Sequence, residues 1–203
     1  MISWIVASHD EQMLQSNLIP TLPMLGTDQL IVLRGYESIT KAYADGQKQA
    51  TNLVRCYIHH DVQILNLQML RIEILSAALM QRTGMVGVIG SKDMIVPWWN
   101  GRGVGSVMDS RLGRISFSLG GECAVLDGLL LATAKDVDWD LDWPGWHGYD
   151  YDSCKQMLQR GLTNRCISHG DDLVFHNSDS PVSLHAIDGW QSAATFYTEK
   201  WDS

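Results

Sequence analysis

An α/β fold around a mixed, mainly parallel central sheet is predicted by three observations. Short apolar runs of strand length recur through the first half of the chain. Segments of helix length separate them. No repeat, low-complexity tract or clear linker breaks the pattern. Strands joined through helices imply right-handed crossovers and parallel neighbours. The 203 residues suit a single domain spanning 1–203.

The elements follow in order. Residues 2–7 form an apolar run, read as a buried strand, and residues 10–18 a helix that Ser8 or Asp10 can cap. Residues 30–33 are a second buried strand, closed by Arg34-Gly35. Residues 38–49 follow as a helix with Ser38 as N-cap. Residues 53–59 are a third strand. Residues 64–81 carry the longest helical periodicity, through Ile64, Leu67, Leu70, Ile74, Leu75 and Ala78. Residues 85–90 are a fourth strand. The second half is richer in Gly and Trp. Residues 124–132 read as strand material interrupted at Asp127-Gly128, where a bulge or a close backbone approach by a ligand is expected. Residues 152–160 read as a helix, and 182–201 as a final, partly helical segment.

Composition narrows the function. The hydrophobic fraction is 45% and charged residues make up 19%, a globular balance. Fifteen basic against 23 acidic residues give a net charge of −8. Without a basic cluster, such a chain is a poor partner for nucleic acid. One bound divalent cation would still let it hold a diphosphate. The four cysteines form no C-x-x-C pair and match no zinc framework, which fits buried thiols in a reducing compartment. The N-terminus opens on a strand-like run and lacks the features of a signal peptide. No run approaches the ~20 apolar residues of a membrane span. A cytoplasmic location is therefore expected.

In parallel sheets, ligands gather beyond the carboxyl ends of the strands. His59-His60-Asp61 stands at such an end. Strand alternation puts His59 and Asp61 on one face and His60 on the other. Asp61 offers oxygen to a hard cation, and an imidazole favours Mn²⁺ over Mg²⁺ or Ca²⁺. The competing reading is a polar strand end, with Asp61 capping the next helix. Asp150 and Asp152 precede a helix as well. Either is a possible general base or an N-cap. Trp98 and Trp99 suit core packing or a platform for sugar rings. The loop at Gly101, Gly103 and Gly105 does not follow the dinucleotide-binding pattern, and neither a P-loop nor G-x-S-x-G occurs.

Taken in order, several short motifs carry a resemblance. They are Ala7-Ser8-His9-Asp10-Glu11, Ser38-Ile39 with Ala42-Tyr43, Tyr57-Ile58-His59-His60-Asp61-Val62, Val86-Gly87-Val88-Ile89-Gly90, and Leu126-Asp127-Gly128 with the apolar run after it. Trp146-His147-Gly148-Tyr149-Asp150-Tyr151-Asp152, His176 and the closing Phe196 to Trp201 complete the set. Their order and spacing resemble the family-2-like glycosyltransferases of the GT-A fold, in the branch named for a streptomycin-biosynthesis protein. The resemblance implies a GT-A-type three-layer sandwich. It implies a nucleotide-binding half over 1–95 and an acceptor-binding and catalytic half over 96–203. By the same resemblance Asp61, His176 and His59 hold Mn²⁺ or Mg²⁺, and Asp150 is the catalytic base. Ala7, Ser8, Glu11, Ser38, Tyr43 and His60 lie on the nucleotide side. Trp98, Trp99, Asp127, Gly128 and His147 border the sugar and acceptor. Two positions depart from the family: Ala44 replaces the Asn that usually follows Ala-Tyr, and His60 replaces the Gln common in the triplet.

The resulting expectation is inverting transfer from a UDP- or GDP-linked sugar to a hydroxyl of a glycan or glycoconjugate. The chain could belong to a longer, multidomain protein. A sugar nucleotidyltransferase would instead release pyrophosphate and carry a glycine-rich, basic phosphate loop near the N-terminus. A non-catalytic carbohydrate-binding module would need the tryptophans but not Asp61, Asp150 and His176 together.

Overall fold

The computed structural model describes residues 1–23, 26–167, 170–178 and 184–201. The first half comprises β1 (Ile2–Ser8), α1 (Glu11–Ser16), α2 (Leu18–Thr21), β2 (Gln29–Arg34), α3 (Ile39–Gln49), β3 (Val54–Ile58), β4 (Val62–Ile64), α4 (Leu67–Ala78), β5 (Thr83–Gly87) and β6 (Ile89–Ser91). A short 3-10 turn at Trp98–Asn100 leads into β7 (Gly103–Asp109), β8 (Gly113–Ser116), β9 (Gly121–Cys123), β10 (Val125–Leu126) and β11 (Leu130–Thr133). The chain continues with α5 (Tyr149–Gln159), β12 (Thr163–Cys166), β13 (Val174–His176) and α6 (Leu184–Trp201). Val182 and Ser183, expected in the final segment, lie outside the described residues.

The main sheet has the order β2-β1-β3-β11-β5-β12-β9. Strands β2, β1 and β3 are parallel neighbours, as are β5 and β12, while β11 runs antiparallel between β3 and β5. The sheet is therefore mixed with most strands pointing one way, as predicted. Its core is mainly apolar: Trp4, Ile5, Tyr57, Ile58 and Leu131 have no exposure. Full burial of such side chains contributes about 1.5–3 kcal/mol each. A second sheet, β10-β6-β7-β13-β4 with β8 on β7, stands at the carboxyl edge of the first.

Three local expectations change. The helix expected from Ile64 starts at Leu67. Val62 and Ile64 are buried with Gln63 between them half-exposed, a period of two that makes them strand β4. Asn66, not Asp61, caps α4, its side chain accepting from the Met69 N–H at 3.0 Å. Asp61 is thereby released from a capping role. The run 85–90 splits at Val88 into β5 and β6, which belong to different sheets. At Gly90 the chain passes so close to the Val125 carbonyl that a Cβ would overlap it.

The predicted break at Asp127-Gly128 separates β10 from β11. Its close neighbour is the Tyr149 hydroxyl, which a Cβ on Gly128 would overlap. Neither Asp150 nor Asp152 is the N-cap of α5. That position belongs to Gly148, at φ +76°, where a residue with a Cβ is strained. Asp152 anchors α6 instead: it accepts from Lys200 Nζ and Trp201 Nε1, both at 2.9 Å.

Candidate metal centre and catalytic cleft

The turn after β3 sets the centre. The His59 N–H donates to the Leu129 carbonyl, tying the turn to the start of β11. The register of β13 on β4 pairs His176 with Val62, and the Asn177 N–H donates to the Asp61 carbonyl. Sheet pairing thus brings together residues more than a hundred positions apart. His59 Nδ1 lies 3.8 Å from Asp61 Oδ1, and His176 Nε2 lies 3.4 Å from Asp61 Oδ2. Suitable ligand atoms of the three residues all fall within 4.8 Å of one another.

Each imidazole has its far nitrogen committed. The Tyr149 hydroxyl donates to the Gly128 carbonyl at 2.8 Å and sits 2.7 Å from His59 Nε2. A hydroxyl has one proton, so Nε2 must donate to it, leaving the Nδ1 lone pair toward Asp61. His176 Nδ1 lies 3.2 Å from Asp109 Oδ2. Asp109 is itself held by the Ser178 hydroxyl at 2.7 Å and by the N–H groups of Arg111 and Leu112. A neutral His176 therefore also presents a lone pair to Asp61. Between them, Asp61 Oδ1 is buried without any hydrogen-bond partner. A buried carboxylate oxygen facing a lone pair is costly unless a cation lies between them. One carboxylate and two oriented imidazoles fit a divalent transition ion.

The electrostatics separate the two imidazoles, favouring a neutral His59 and a proton on His176 that a metal would displace. Burial drives the His59 pKa down to about 4, so the ring is neutral at physiological pH. Burial pushes Asp61 upward, but its hydrogen bond to His176 and the neighbouring histidines outweigh this and hold it at about 2. Burial disfavours the His176 cation, yet Asp61 and Asp109 raise its pKa above 6.5. Asp109 was not singled out from the sequence. Its only signal is its place at the end of a strand, and β7 was not among the predicted strands. Asp109→Asn is expected to weaken Mn²⁺ binding about 10–100-fold, the usual cost of losing such a support. Titration with Mn²⁺ monitored by electron paramagnetic resonance checks this.

A cavity of about 670 Å³ opens beside the trio. His59, His176, Asp109, Asp127, Gly128, Trp98, Trp99, His147 and Asp150 all line it. Asp150 accepts from the Gly128 N–H and the Tyr151 N–H, both at 3.1 Å. Burial, with the Asp127 carboxylate nearby, pushes its pKa up to about 7. Asp127 is held by Trp98 Nε1 and the Leu129 N–H. Trp98 in turn donates its backbone N–H to the Tyr151 hydroxyl. Tyr149, Trp146 and Arg111 also reach the wall and were not among the expected site residues.

The expected nucleotide residues are placed less uniformly. Ala7 and Ser8 end β1, where the Ser8 hydroxyl lies 3.2 Å from His60 Nδ1. His60 packs on His9, whose ring meets Trp146 edge-on, linking this corner to the cavity. Glu11 is exposed and paired with Arg34 at 2.7 Å. Ser38 caps α3 through the Lys41 N–H. Tyr43 does not line this cavity. It is fully buried, its ring against Tyr57, Trp139 and Tyr149.

Among solved structures, a mannosyltransferase from Pyrobaculum calidifontis in complex with GDP-Man and Mn²⁺ shares this fold. The two align with a TM-score of 0.56 at 12% identity, covering 92% of this chain and 59% of that one. The protein A197 from STIV aligns with a TM-score of 0.47 at 9% identity, over 90% of this chain and 97% of its own. No curated protein matches the chain. No helix among the described residues is long and apolar enough to cross a membrane. The model of the glycosyltransferase-like family matches residues 4–186, nearly the whole chain, and to that family this protein belongs.

Proposed function

We propose that this chain is a metal-dependent, inverting glycosyltransferase that moves a sugar from a UDP- or GDP-linked donor to a hydroxyl of a glycan or glycoconjugate. The observation that carries the proposal is the buried, unpartnered Asp61 Oδ1 between two oriented imidazoles, with Asp150 on the wall of the adjoining cavity. The likeness to an enzyme solved with GDP-Man and Mn²⁺ supports it. Asp61, His176 and His59 would hold Mn²⁺ or Mg²⁺, supplying positive charge to the diphosphate leaving group. Ala7, Ser8, Glu11, Ser38 and His60 form the nucleotide side within residues 1–95, and Tyr43 supports it from beneath through Tyr149. Trp98, Trp99, Asp127, Gly128 and His147 orient the sugar and acceptor. Asp150 takes the proton from the acceptor hydroxyl as it attacks the anomeric carbon. A base whose pKa lies near the working pH suits that role.

The direct test is thermal shift with UDP, GDP and their sugars, with and without Mn²⁺, followed by product analysis. Ligands that bind the native state raise its stability by mass action. Release of a nucleoside diphosphate with inverted anomeric configuration is expected. Release of pyrophosphate would instead make the chain a nucleotidyltransferase.

Protons compete with the metal for His176 Nε2. Its pKa lies above 6.5 because the Asp61 hydrogen bond overcomes the opposing effect of burial. Mn²⁺ affinity should therefore be full well above that pKa and fall as pH drops through it, with a proton released on binding. Calorimetric titrations at about pH 5.5 and about pH 8.5 in buffers of different ionisation enthalpy check both the direction and the proton count.

A further inference from the structure

The cavity has a second side, formed by the β7–β8 hairpin, that the transfer chemistry leaves unexplained. Side chains alternate along a strand, so Val107 and Asp109 share one face of β7, and Ile115 and Phe117 continue one face from β8. Val107 lies opposite Ile115, Asp109 lies opposite Gly113, and the Phe117 N–H donates to the Gly105 carbonyl. All four side chains line the cavity. The hairpin therefore has one polar end, where Asp109 meets His176, and turns apolar from there. Its rows at Asp109 and Gly105 are four residues apart, about 13 Å at the usual rise of a strand. Ile89 borders the same wall, as does Trp99, which is 56% exposed; Phe117 is 42% exposed.

This surface suits only one kind of occupant. A glycan laid along it would bring hydroxyls against the partly exposed Ile115 and the little that Ile89 and Val107 present, at 1% and 3% exposure, and none of these offers a hydrogen bond in exchange for lost water. Aromatic rings can stack on sugars, but these aliphatic side chains cannot. An alkyl chain or an aryl ring loses nothing there, and gains about fourfold in affinity per buried methylene. The wall is also continuous with the catalytic groups: Trp98 bonds Asp127 through Nε1 and meets the Phe117 ring at 6.3 Å. Its occupant is thus a substrate of the same site.

We infer that the acceptor is a glycoconjugate whose sugar hydroxyl is carried on an apolar aglycone, an alkyl chain or an aryl ring, that lies along the β7–β8 hairpin beside Val107, Ile115 and Phe117. The inference rests on the transferase reading above and names its acceptor class.

The test compares glycosides that share a sugar and differ only in the aglycone. Methyl, phenyl and octyl β-D-glucosides, and the same series of mannosides, are titrated below their micelle concentrations into protein holding Mn²⁺ and GDP or UDP. Binding is read by calorimetry and tryptophan fluorescence. The octyl or phenyl glycoside of a pair should bind at least about tenfold more tightly than the methyl one, as two buried methylenes alone would give. Preference for octyl marks an alkyl acceptor, and preference for phenyl marks an aryl one. Phe117→Ser should cut that preference about tenfold and Phe117→Leu should restore most of it, both with unchanged circular dichroism. Equal binding across a series, or no binding of any glycoside by protein that holds Mn²⁺ and nucleotide, overturns the inference alone. Failure to bind Mn²⁺ and nucleotide at all overturns the transferase reading, and this inference with it.

Discussion

Asp150→Asn is expected to lower sugar transfer by about 10²–10⁴-fold while Mn²⁺ and nucleotide binding stay intact. The carboxylate lines the cavity, and its two oxygens already accept from the N–H groups of Gly128 and Tyr151. An amide keeps the size and one of those bonds but cannot take a proton from the acceptor. The wild-type rate should rise with pH through about 7 and level off above it, because only the ionised carboxylate is a base. The residual rate of the variant should lack that limb.

The same residue makes an opposite prediction for stability. Burial and Asp127 raise the Asp150 pKa from 3.8 to about 7 in the folded chain. The folded state therefore favours the protonated form. That contribution is fully present below the unfolded pKa and is lost as pH rises through the folded one. The loss amounts to at most about 4 kcal/mol. Asn cannot ionise and escapes it, although its NH₂ must face one of the two N–H donors. Measured in urea, the variant should gain on the wild type as pH rises from about 4 to about 8. Parallel stability curves would show that Asp150 ionises without strain and is not a tuned base.

Asp61→Asn is expected to weaken Mn²⁺ and Mn²⁺-dependent nucleotide binding by at least about 100-fold, with transfer falling alongside. Asp61 is the one carboxylate of the trio, so the change leaves the three ligands with no formal negative charge of their own. It also removes the hydrogen bond that raises the His176 pKa. His176 would then be neutral over more of the pH range, yet without a charged oxygen beside it. The stability effect has the ordinary sign for a carboxylate. The Asp61 pKa is about 2 when folded, so its contribution is full above 3.8 and lost as pH falls toward 2. Thermal shift with Mn²⁺ and GDP or UDP reads the binding loss. Variant binding within about threefold of wild type would remove Asp61 from the metal site, since one charge is worth far more than that.

These two residues also show how much the sequence could tell. Each was placed by its position after a strand or before a helix, and each had a plausible capping role that local sequence could not exclude. Asn66 and Gly148 occupy those caps in the folded chain. The first half was legible because alternating buried strands and amphipathic helices write their periods directly into the sequence. Much of the second half was not, because β8, β9 and β10 are only four, three and two residues long and pairing there is set by contacts with distant residues.

The sequence by itself determined the α/β class, the strand ends that face the ligand edge, and the residue types able to bind a cation or take a proton. Only the tertiary structure decided which of them meet. It brought His176 to Asp61 through the β13–β4 register, and it added Asp109 and Tyr149 to orient the two imidazoles. It moved Tyr43 into the core and gave the cavity an apolar hairpin wall. The physical reason is common to all of these. Periodicity is a local property of the chain, whereas a converging set of lone pairs depends on sheet register and burial, which join residues far apart in sequence.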